Sequence, residues 1–481
     1  MLKSIQIALT TLCLIAFAAC SVNPVTGKKE VVFMSEEREI QVGQENDPAI
    51  VATFGRYEDE ALQKFIDERG QEMAKISHRP DLPYSFKVLD SPVVNAFALP
   101  GGYVYFTRGI LAHFNNEAEF AGVLGHEIGH VTARHSAKQQ TKQTLGQILF
   151  VGGLIVSPAF RQFANQGSQM MQLMFLKYSR DNESESDKLG VEYSSAVGYD
   201  AHHMANFFRT LSNMRSGTES EALPEFMSTH PDPANRYVRV NKMAEERQAQ
   251  EPGKDWIVNR NSYLQRIDGM IYGEDPQQGY VDINTFYHPE LLFYFPVPPD
   301  WRTNNSPQQF QMAPKDGKAM MLLTLGQGDS PEAVAQKMVT DYKLQVVESK
   351  NQTLNGMPVT AMVSDQVNEQ KQQSIRIMTY VISYNNLIYV MHGMSAKEDF
   401  DKYVNQFNGT MRNFKKLTDR SKIDVKPDRL KMITVRQSNT LKNVLTKAGM
   451  KQDQFRELAL INGMKLSDQV PAGAMVKTIS Q

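Results

Sequence analysis

Glu119-Phe120-Ala121-Gly122-Val123-Leu124-Gly125-His126-Glu127-Ile128-Gly129-His130-Val131 is the stretch on which the reading of this chain turns. Phe120, Val123, Leu124, Ile128 and Val131 recur at helical spacing, which predicts a buried helix. Asn116, followed three residues later by Glu119, supplies an N-cap and its reciprocal partner at the start. On such a helix His126 and His130 lie one turn apart and point the same way, while Glu127, offset by roughly 100°, flanks the same space. Two imidazoles and a carboxylate so placed suit a zinc ion, the histidines binding it and the glutamate handling protons, so metal-dependent peptide hydrolysis is the leading expectation. Gly125 and Gly129 should each cost a helix interior about 1 kcal/mol, which implies that something packs closely against the backbone there.

Catalytic zinc usually takes three protein ligands and keeps a position for water, so a further ligand is expected downstream. In Arg180-Asp181-Asn182-Glu183-Ser184-Glu185-Ser186-Asp187, Glu183 and Asp187 share one helical face and Glu185 projects nearly opposite. Glu183 is the candidate ligand. Asp187, beside it, is placed to accept a hydrogen bond from a ligand histidine and fix its tautomer. His230 lies just before Asp232-Pro233, which reads as the N-cap and first position of a new helix, and it is the candidate donor to an oxyanion. Ala96–Leu99 reads as an edge strand whose free backbone groups would pair with an extended substrate.

The chain begins with Lys3, the apolar run Ile5–Phe17 and the small residues Ala18-Ala19 before Cys20, the pattern of an export signal too short to span a bilayer. Phe17-Ala18-Ala19-Cys20 resembles the lipobox of bacterial lipoproteins, with phenylalanine where leucine is usual. That resemblance implies acylation of Cys20 and, with Ser21 following, sorting to an outer membrane. Cys13 would leave with the signal, so no disulfide is expected within the mature chain. Loss of residues 1–19 removes Lys3 and leaves 51 basic against 53 acidic residues, which gives no support for nucleic-acid binding.

Composition divides the rest. We expect a lipoprotein signal peptide over 1–20, a zinc metallopeptidase domain over 21–255, mainly α with a small β-sheet, and a linker over 256–280. An α+β domain follows over 281–416, where Leu291–Val297, Ala319–Leu325, Leu344–Glu348, Val359–Val363, Ile375–Ser383 and Leu387–His392 read as strands. Asn355-Gly356 and Asn385-Asn386 sit where its hairpin turns belong. This domain faintly resembles PsbP-like modules. A second linker is expected over 417–430 and a small module over 431–481. That module resembles LysM through its strand–helix–helix–strand order and Leu458-Ala459-Leu460-Ile461-Asn462-Gly463, and departs from it where Ser438-Asn439-Thr440 replaces Gly-Asp-Thr. Between Gln143 and Leu176 an apolar segment carrying Met170, Met171 and Met174 reads as a lid or partner-binding hairpin.

Five stretches together resemble the gluzincin-type metallopeptidases that include the CAAX prenyl proteases, HtpX and BepA. They are Asn23-Pro24-Val25-Thr26-Gly27; Asn95-Ala96-Phe97-Ala98-Leu99-Pro100-Gly101-Gly102; Gly125–His130; Glu183–Asp187; and Ser228-Thr229-His230-Pro231 with Arg236. Ser186 departs from the usual alanine. The resemblance implies one Zn2+ held by His126, His130 and Glu183. Glu127 acts as the base, Asp187 as an acid or proton donor, and His230 either stabilises the transition state or caps the zinc. Asn95, Ala96, Phe97 and Ala98 would bind substrate. It also implies a lipid-anchored periplasmic endopeptidase acting on misfolded or stalled envelope polypeptides, working with outer-membrane assembly machinery. The alternatives are a chaperone-like assembly factor for outer-membrane proteins and an adaptor that contacts peptidoglycan through the last fifty residues.

Overall fold

The computed structural model describes residues 20–141, 178–215, 226, 230, 233–368 and 373–481. The export signal up to Ala19, the apolar segment Gln143–Leu176, and Ser228, Thr229, Pro231 and Asp232 lie outside the described residues. Strands β1 (Cys20–Val22) and β2 (Lys29–Val31) pair antiparallel. The turn between them is the Asn23–Gly27 motif, where the Asn23 carboxamide accepts from the backbone N–H groups of Val25 and Thr26 and Gly27 takes a φ of 69°. Helices α1 (Glu36–Phe54) and α2 (Glu60–Lys75) lead to a three-stranded sheet of order β3-β5-β4. Its strands are β3 (Ser85–Leu89), β4 (Ala96–Leu99) and β5 (Tyr103–Thr107), with β3 parallel and β4 antiparallel to β5. Ala96–Leu99 is therefore an edge strand, as the sequence predicts.

The short α3 (Arg108–His113) delivers the chain to α4 (Glu117–Thr132), the histidine-bearing helix, every residue of which is buried. Its N-cap differs slightly from the predicted reciprocal pair. Asn116 Oδ1 accepts from Glu119 N at 2.8 Å, but the Glu119 carboxylate accepts from the N–H of Asn115, one residue earlier. Helices α5 (Arg180–Ala196), α6 (His202–Arg215) and α7 (Pro233–Gln248) pack around it. Glycines set the spacing. A Cβ on Gly122 would lie 2.4 Å from Met204 Cβ of α6, one on Gly125 would lie 3.0 Å from Gly190 O of α5, and one on Gly129 would meet Leu189 and Ser186 of α5 at 3.0 and 3.3 Å. The helix-propensity cost of these glycines is offset by a backbone-to-backbone approach that any side chain would block.

The expected linker over 256–280 is instead structured. It holds α8 (Arg260–Arg266), whose Tyr263 and Leu264 are buried with Ile267 and Met270 in the core of the helical part, and the Tyr263 hydroxyl donates to Leu111 O at 2.8 Å. The chain then enters β6 (Tyr280–Asp282), β7 (Thr285–His288) and β8 (Phe293–Pro296). Strands β9 (Arg302–Ser306), β10 (Gln309–Ala313) and β11 (Ala319–Gly326) precede α9 (Pro331–Asp341). After these come β12 (Gln345–Leu354), β13 (Met357–Asn368), β14 (Gln373–Tyr384) and β15 (Leu387–Ala396), then α10 (Phe400–Met411) and β16 (Lys415–Lys416). The main sheet is seven-stranded and antiparallel, in the order β12-β13-β14-β15-β11-β10-β9. Its faces alternate along each strand: Met378, Tyr380 and Ile382 pack with Phe407 of α10, while Ile377 and Val381 pack with Val334 and Met338 of α9. Asn355-Gly356 and Asn385-Asn386 form its hairpin turns with φ between 49° and 82°.

The predicted second linker is likewise anchored, with Leu417 and Leu430 buried around the short α11 (Arg420–Ile423). The C-terminal unit runs β17 (Arg429–Thr434), β18 (Asn439–Thr440), α12 (Leu441–Lys447), α13 (Phe455–Ile461), β19 (Gln469–Val470) and β20 (Met475–Ser480). It has the predicted strand–helix–helix–strand order, but it does not hang free. Its Leu441, Leu445, Leu458 and Ile461 belong to the same apolar core as Phe114 and Phe120 of the helical part. Lys477 of β20, fully buried, donates to Ala112 O at 2.8 Å, Phe114 O at 2.6 Å and Ile461 O at 2.7 Å. Burial pushes this lysine well below its ordinary pKa, against the pull of the Glu119 carboxylate. No helix among the described residues is long and apolar enough to cross a membrane.

Lys477→Met keeps the buried length and removes all three donors. Each orphaned buried carbonyl costs on the order of 1–3 kcal/mol, so urea denaturation should show a loss of several kcal/mol, and the transition that moves should be that of the helical part as well as of the C-terminal unit.

Candidate metal centre

α4 places His126 and His130 with their Nε2 atoms 3.0 Å apart. α5 begins with a capping box, Ser179 accepting from Asn182 N and the Asn182 side chain accepting from Ser179 N. One turn in, this helix directs Glu183 at the histidines, with His130 Nε2 3.5 Å from Glu183 Oε1 and His126 Nε2 3.8 Å from Glu183 Oε2. His230 closes the group. Its ring stacks on Phe226 at 4.4 Å, and its Nδ1 lies 3.0 Å from Glu183 Oε1 and 3.3 Å from His126 Nε2. Donors each about 2 Å from a tetrahedral ion stand about 3.3 Å apart, and these separations bracket that value.

Charge and burial fit the same use. One ligand atom from each of His126, His130, Glu183 and His230 falls within 4.8 Å of the others, and all four residues are buried. Burial pulls the His126 imidazole down to about 4, with Arg236 adding to the effect, and pulls His130 well below its usual value. Both rings are thus neutral at neutral pH, with lone pairs available. Burial alone would raise Glu183, but the charges of His230 and Arg236 and hydrogen bonds from His130 and His230 outweigh it and hold this carboxyl well below its usual range. Imidazole and carboxylate donors of this kind suit zinc.

The residues around the cluster set it in place. Asp187, one turn beyond Glu183, lies 3.1 Å from His126 Nδ1. Burial would raise its carboxyl, but Arg236 and the His126 bond hold it far below the ordinary carboxylate range. Arg236 of α7 lies 2.6 Å from Asp187 Oδ1 and forms an ion pair at 2.9 Å with Glu183 Oε2, its guanidinium resting 3.9 Å over the Phe208 ring. Glu127 stands apart from these bonds. Its Oε1 has no hydrogen-bond partner among the described residues and lies 3.7 Å from His230 Nε2, and burial pushes the carboxyl up to about 7.

The structure brings Glu127, Asp187, His230, His126, His130, Glu183 and Arg236, all singled out in the sequence, into one cluster. Asn95–Ala98 are separate, buried in and just ahead of the edge strand β4, with Asn95 Oδ1 lacking a partner among the described residues. Cys20 belongs to β1 and takes no part. Three neighbours escape sequence reasoning. Arg239 bonds Asp187 Oδ2, Tyr178 stacks on His130 at 4.1 Å with its hydroxyl on Ser136, and His135 lies 2.9 Å from His130. For His135 the signal exists, a third histidine five residues after the motif, but only the turn that ends α4 brings it back.

Comparison with known proteins agrees with this geometry. Residues 60–244 match Peptidase family M48. The chain is 27% identical over 293 residues to the beta-barrel assembly-enhancing protease of Yersinia pestis, covering 58% of this chain and 55% of that one. It is 28% identical over 197 residues to the Escherichia coli protein of the same name, covering 38% and 40%. It is 31% identical over 179 residues to the mitochondrial metalloendopeptidase OMA1 of Arabidopsis thaliana, covering 37% and 35%. The matches to these three relatives span 35 to 55% of the relatives' own length. Among solved structures, a cyanobacterial PsbP from Synechocystis aligns with a TM-score of 0.22 at 10% identity, over 28% of this chain and 90% of that one.

Arg236→Leu would leave Glu183 and Asp187 buried without their shared cation. Breaking such a pair costs about 3–5 kcal/mol. Urea denaturation in the presence of a chelator should show that loss, and Arg236→Lys should recover only part of it because an ammonium cannot span both carboxylates as a guanidinium does.

Proposed function

We propose that the chain is a zinc-dependent endopeptidase of unfolded cell-envelope polypeptides, because residues 60–244 match Peptidase family M48 and hold four buried donors suited to a metal ion. One observation carries the reading. Four buried donors converge within 4.8 Å beside Glu127, a protonatable carboxylate whose Oε1 has no hydrogen-bond partner among the described residues. When bound, zinc supplies Lewis acidity, lowering the pKa of a water and polarising a peptide carbonyl. His126, His130 and Glu183 would hold it. Glu127, poised near neutrality by burial, takes a proton from the attacking water and returns it to the leaving amine. Asp187 fixes the His126 tautomer through Nδ1, and Arg236 keeps Asp187 and Glu183 ionised. The edge position of β4 supports pairing of an extended substrate with Asn95–Ala98.

His230 sits among the donors, within hydrogen-bond reach of Glu183 and His126. This favours the capping role over oxyanion stabilisation. His230 closes the centre and withdraws when substrate or a partner arrives. The names of the relatives support envelope proteins as substrates. The export signal and Cys20 support a lipid-anchored periplasmic location at the outer membrane. The packing of the C-terminal unit into the main core argues against a separate peptidoglycan adaptor.

The test is casein cleavage by zinc-loaded residues 21–481. Glu127→Gln should lower the rate by roughly 10²–10⁴-fold, and His230→Ala should raise it. A slower His230→Ala enzyme would return His230 to the oxyanion role. No cleavage by any form would favour a binding protein that holds outer-membrane proteins during assembly.

A further inference from the structure

His130 offers Nε2 to the donor cluster, so its other nitrogen, Nδ1, must carry the proton of the neutral ring. That Nδ1 lies 2.9 Å from Nδ1 of His135. Two neutral imidazoles can share such a contact only if one nitrogen donates and the other accepts. His130 Nδ1–H therefore donates and His135 Nδ1 accepts, which puts the proton of His135 on Nε2. His135 Nε2 in turn lies 3.0 Å from Glu185 Oε2. Each bond in the row dictates the next, from the carboxylate to the lone pair at the metal position. Ser186 Oγ, 3.3 Å from His135 Nδ1, is a second donor converging on the same acceptor.

The two histidines of α4 are thus oriented by different means. His126 meets a carboxylate directly in Asp187, which is fully buried and tied to two arginines. His130 meets one through an interposed imidazole. The His135 side chain has no solvent exposure, while Glu185, at the outer end of the row, is 24% exposed. Glu185 points well away from Glu183 around α5, yet the chain's turn after α4 carries His135 to it. Arg134, in that turn at a φ of 58°, is held by Glu39 and by the Met34 carbonyl.

We propose that His135 and Glu185 are positioning residues for the metal ligand His130, Glu185 fixing the tautomer of His135 and His135 fixing that of His130. The inference rests on the reading that His130 holds zinc, and it adds a requirement for metal retention that neither residue would have as a packing group. Partners of this kind change metal affinity by about 10–100-fold when removed.

Zinc affinity measured by competition with a chromophoric chelator reads this out without any assay of cleavage. His135→Phe keeps a ring and removes the acceptor, and should weaken zinc binding 10- to 100-fold. His135→Asn, whose Oδ1 occupies the place of Nδ1, should recover most of that loss, and Glu185→Ala should weaken binding less than His135→Phe. In the unaltered zinc-loaded protein, long-range 1H–15N correlation with labelled histidine should show His130 protonated on Nδ1 and His135 on Nε2, a result that does not depend on any variant folding. Zinc binding by a folded His135→Phe as tight as that of the unaltered protein, or a proton on Nδ1 of His135, would overturn the proposal. Failure of the unaltered protein to bind zinc would overturn the metal reading beneath it instead.

Discussion

Glu183 and Asp187, two carboxylates shut away from water, stand one turn apart on α5 and share a single guanidinium, Arg236. Removing an ion from water costs several kcal/mol even after relaxation, so this arrangement is tolerable only because each carboxylate has a cation and further hydrogen bonds around it. The geometry of the centre follows from that need. Arg236 must reach both carboxylates, which fixes α7 against α5. Asp187 must also face His126, which fixes α5 against α4. What remains is Glu183 Oε1, and two positive partners can use it, a metal ion or the protonated His230 at 3.0 Å. Burial depresses His230, but Glu183 and Glu127 more than reverse this and raise it above its usual value. His230 bonds this oxygen as an imidazolium only where no ion stands; beside a bound metal it would give up that proton and turn a lone pair to the ion, which is the physical content of the proposed cap.

The approach of α4 to α5 makes this centre possible. Side chains on helices packed at ordinary distance would hold Glu183 away from the α4 histidines. Glycine at 122, 125 and 129 on one helix and at 190 on the other lets backbone lie nearly against backbone. Intrinsic propensity is sacrificed at four positions so that a carboxylate from one helix and imidazoles from the other can meet within hydrogen-bond distance.

How far this was legible in the sequence depends on how local each constraint is. The HEIGH helix, its cap at Asn116 and the pairing of Glu183 with Asp187 are set by spacing along one helix, and the structure has them at the expected positions. The hairpin turns at Asn355-Gly356 and Asn385-Asn386 are legible for the same reason. His135 is not, because its partnership with His130 and Glu185 depends on a left-handed turn at Arg134, where an arginine gives no glycine-like warning. The 256–280 region looks like a linker because its apolar residues form few clusters. Yet Tyr263, Leu264 and Ile267 are enough to bury one side of a short helix in the core. Nor can periodicity reveal that the last fifty residues share the main core, since an apolar face of a small unit looks the same whether it folds on itself or on a neighbour.

The consequence of that shared core reaches the metal centre. Lys477 satisfies carbonyls at Ala112 and Phe114, immediately before α4, and Arg260 of α8 bonds both Asn115 O and Met475 O. The chain entering the histidine helix is thus clamped by the C-terminal strand β20 on one side and by α8 on the other. Asn115 and Asn116, which cap α4, lie within this clamp, so displacing the C-terminal unit would free the first turn of the helix that carries His126 and His130. Anything that binds the C-terminal unit only in its docked position stabilises the centre by the same free energy, and anything that pulls it away loosens the centre. In this protein the last strand belongs to the architecture of the proposed active site, although nothing in it touches a ligand.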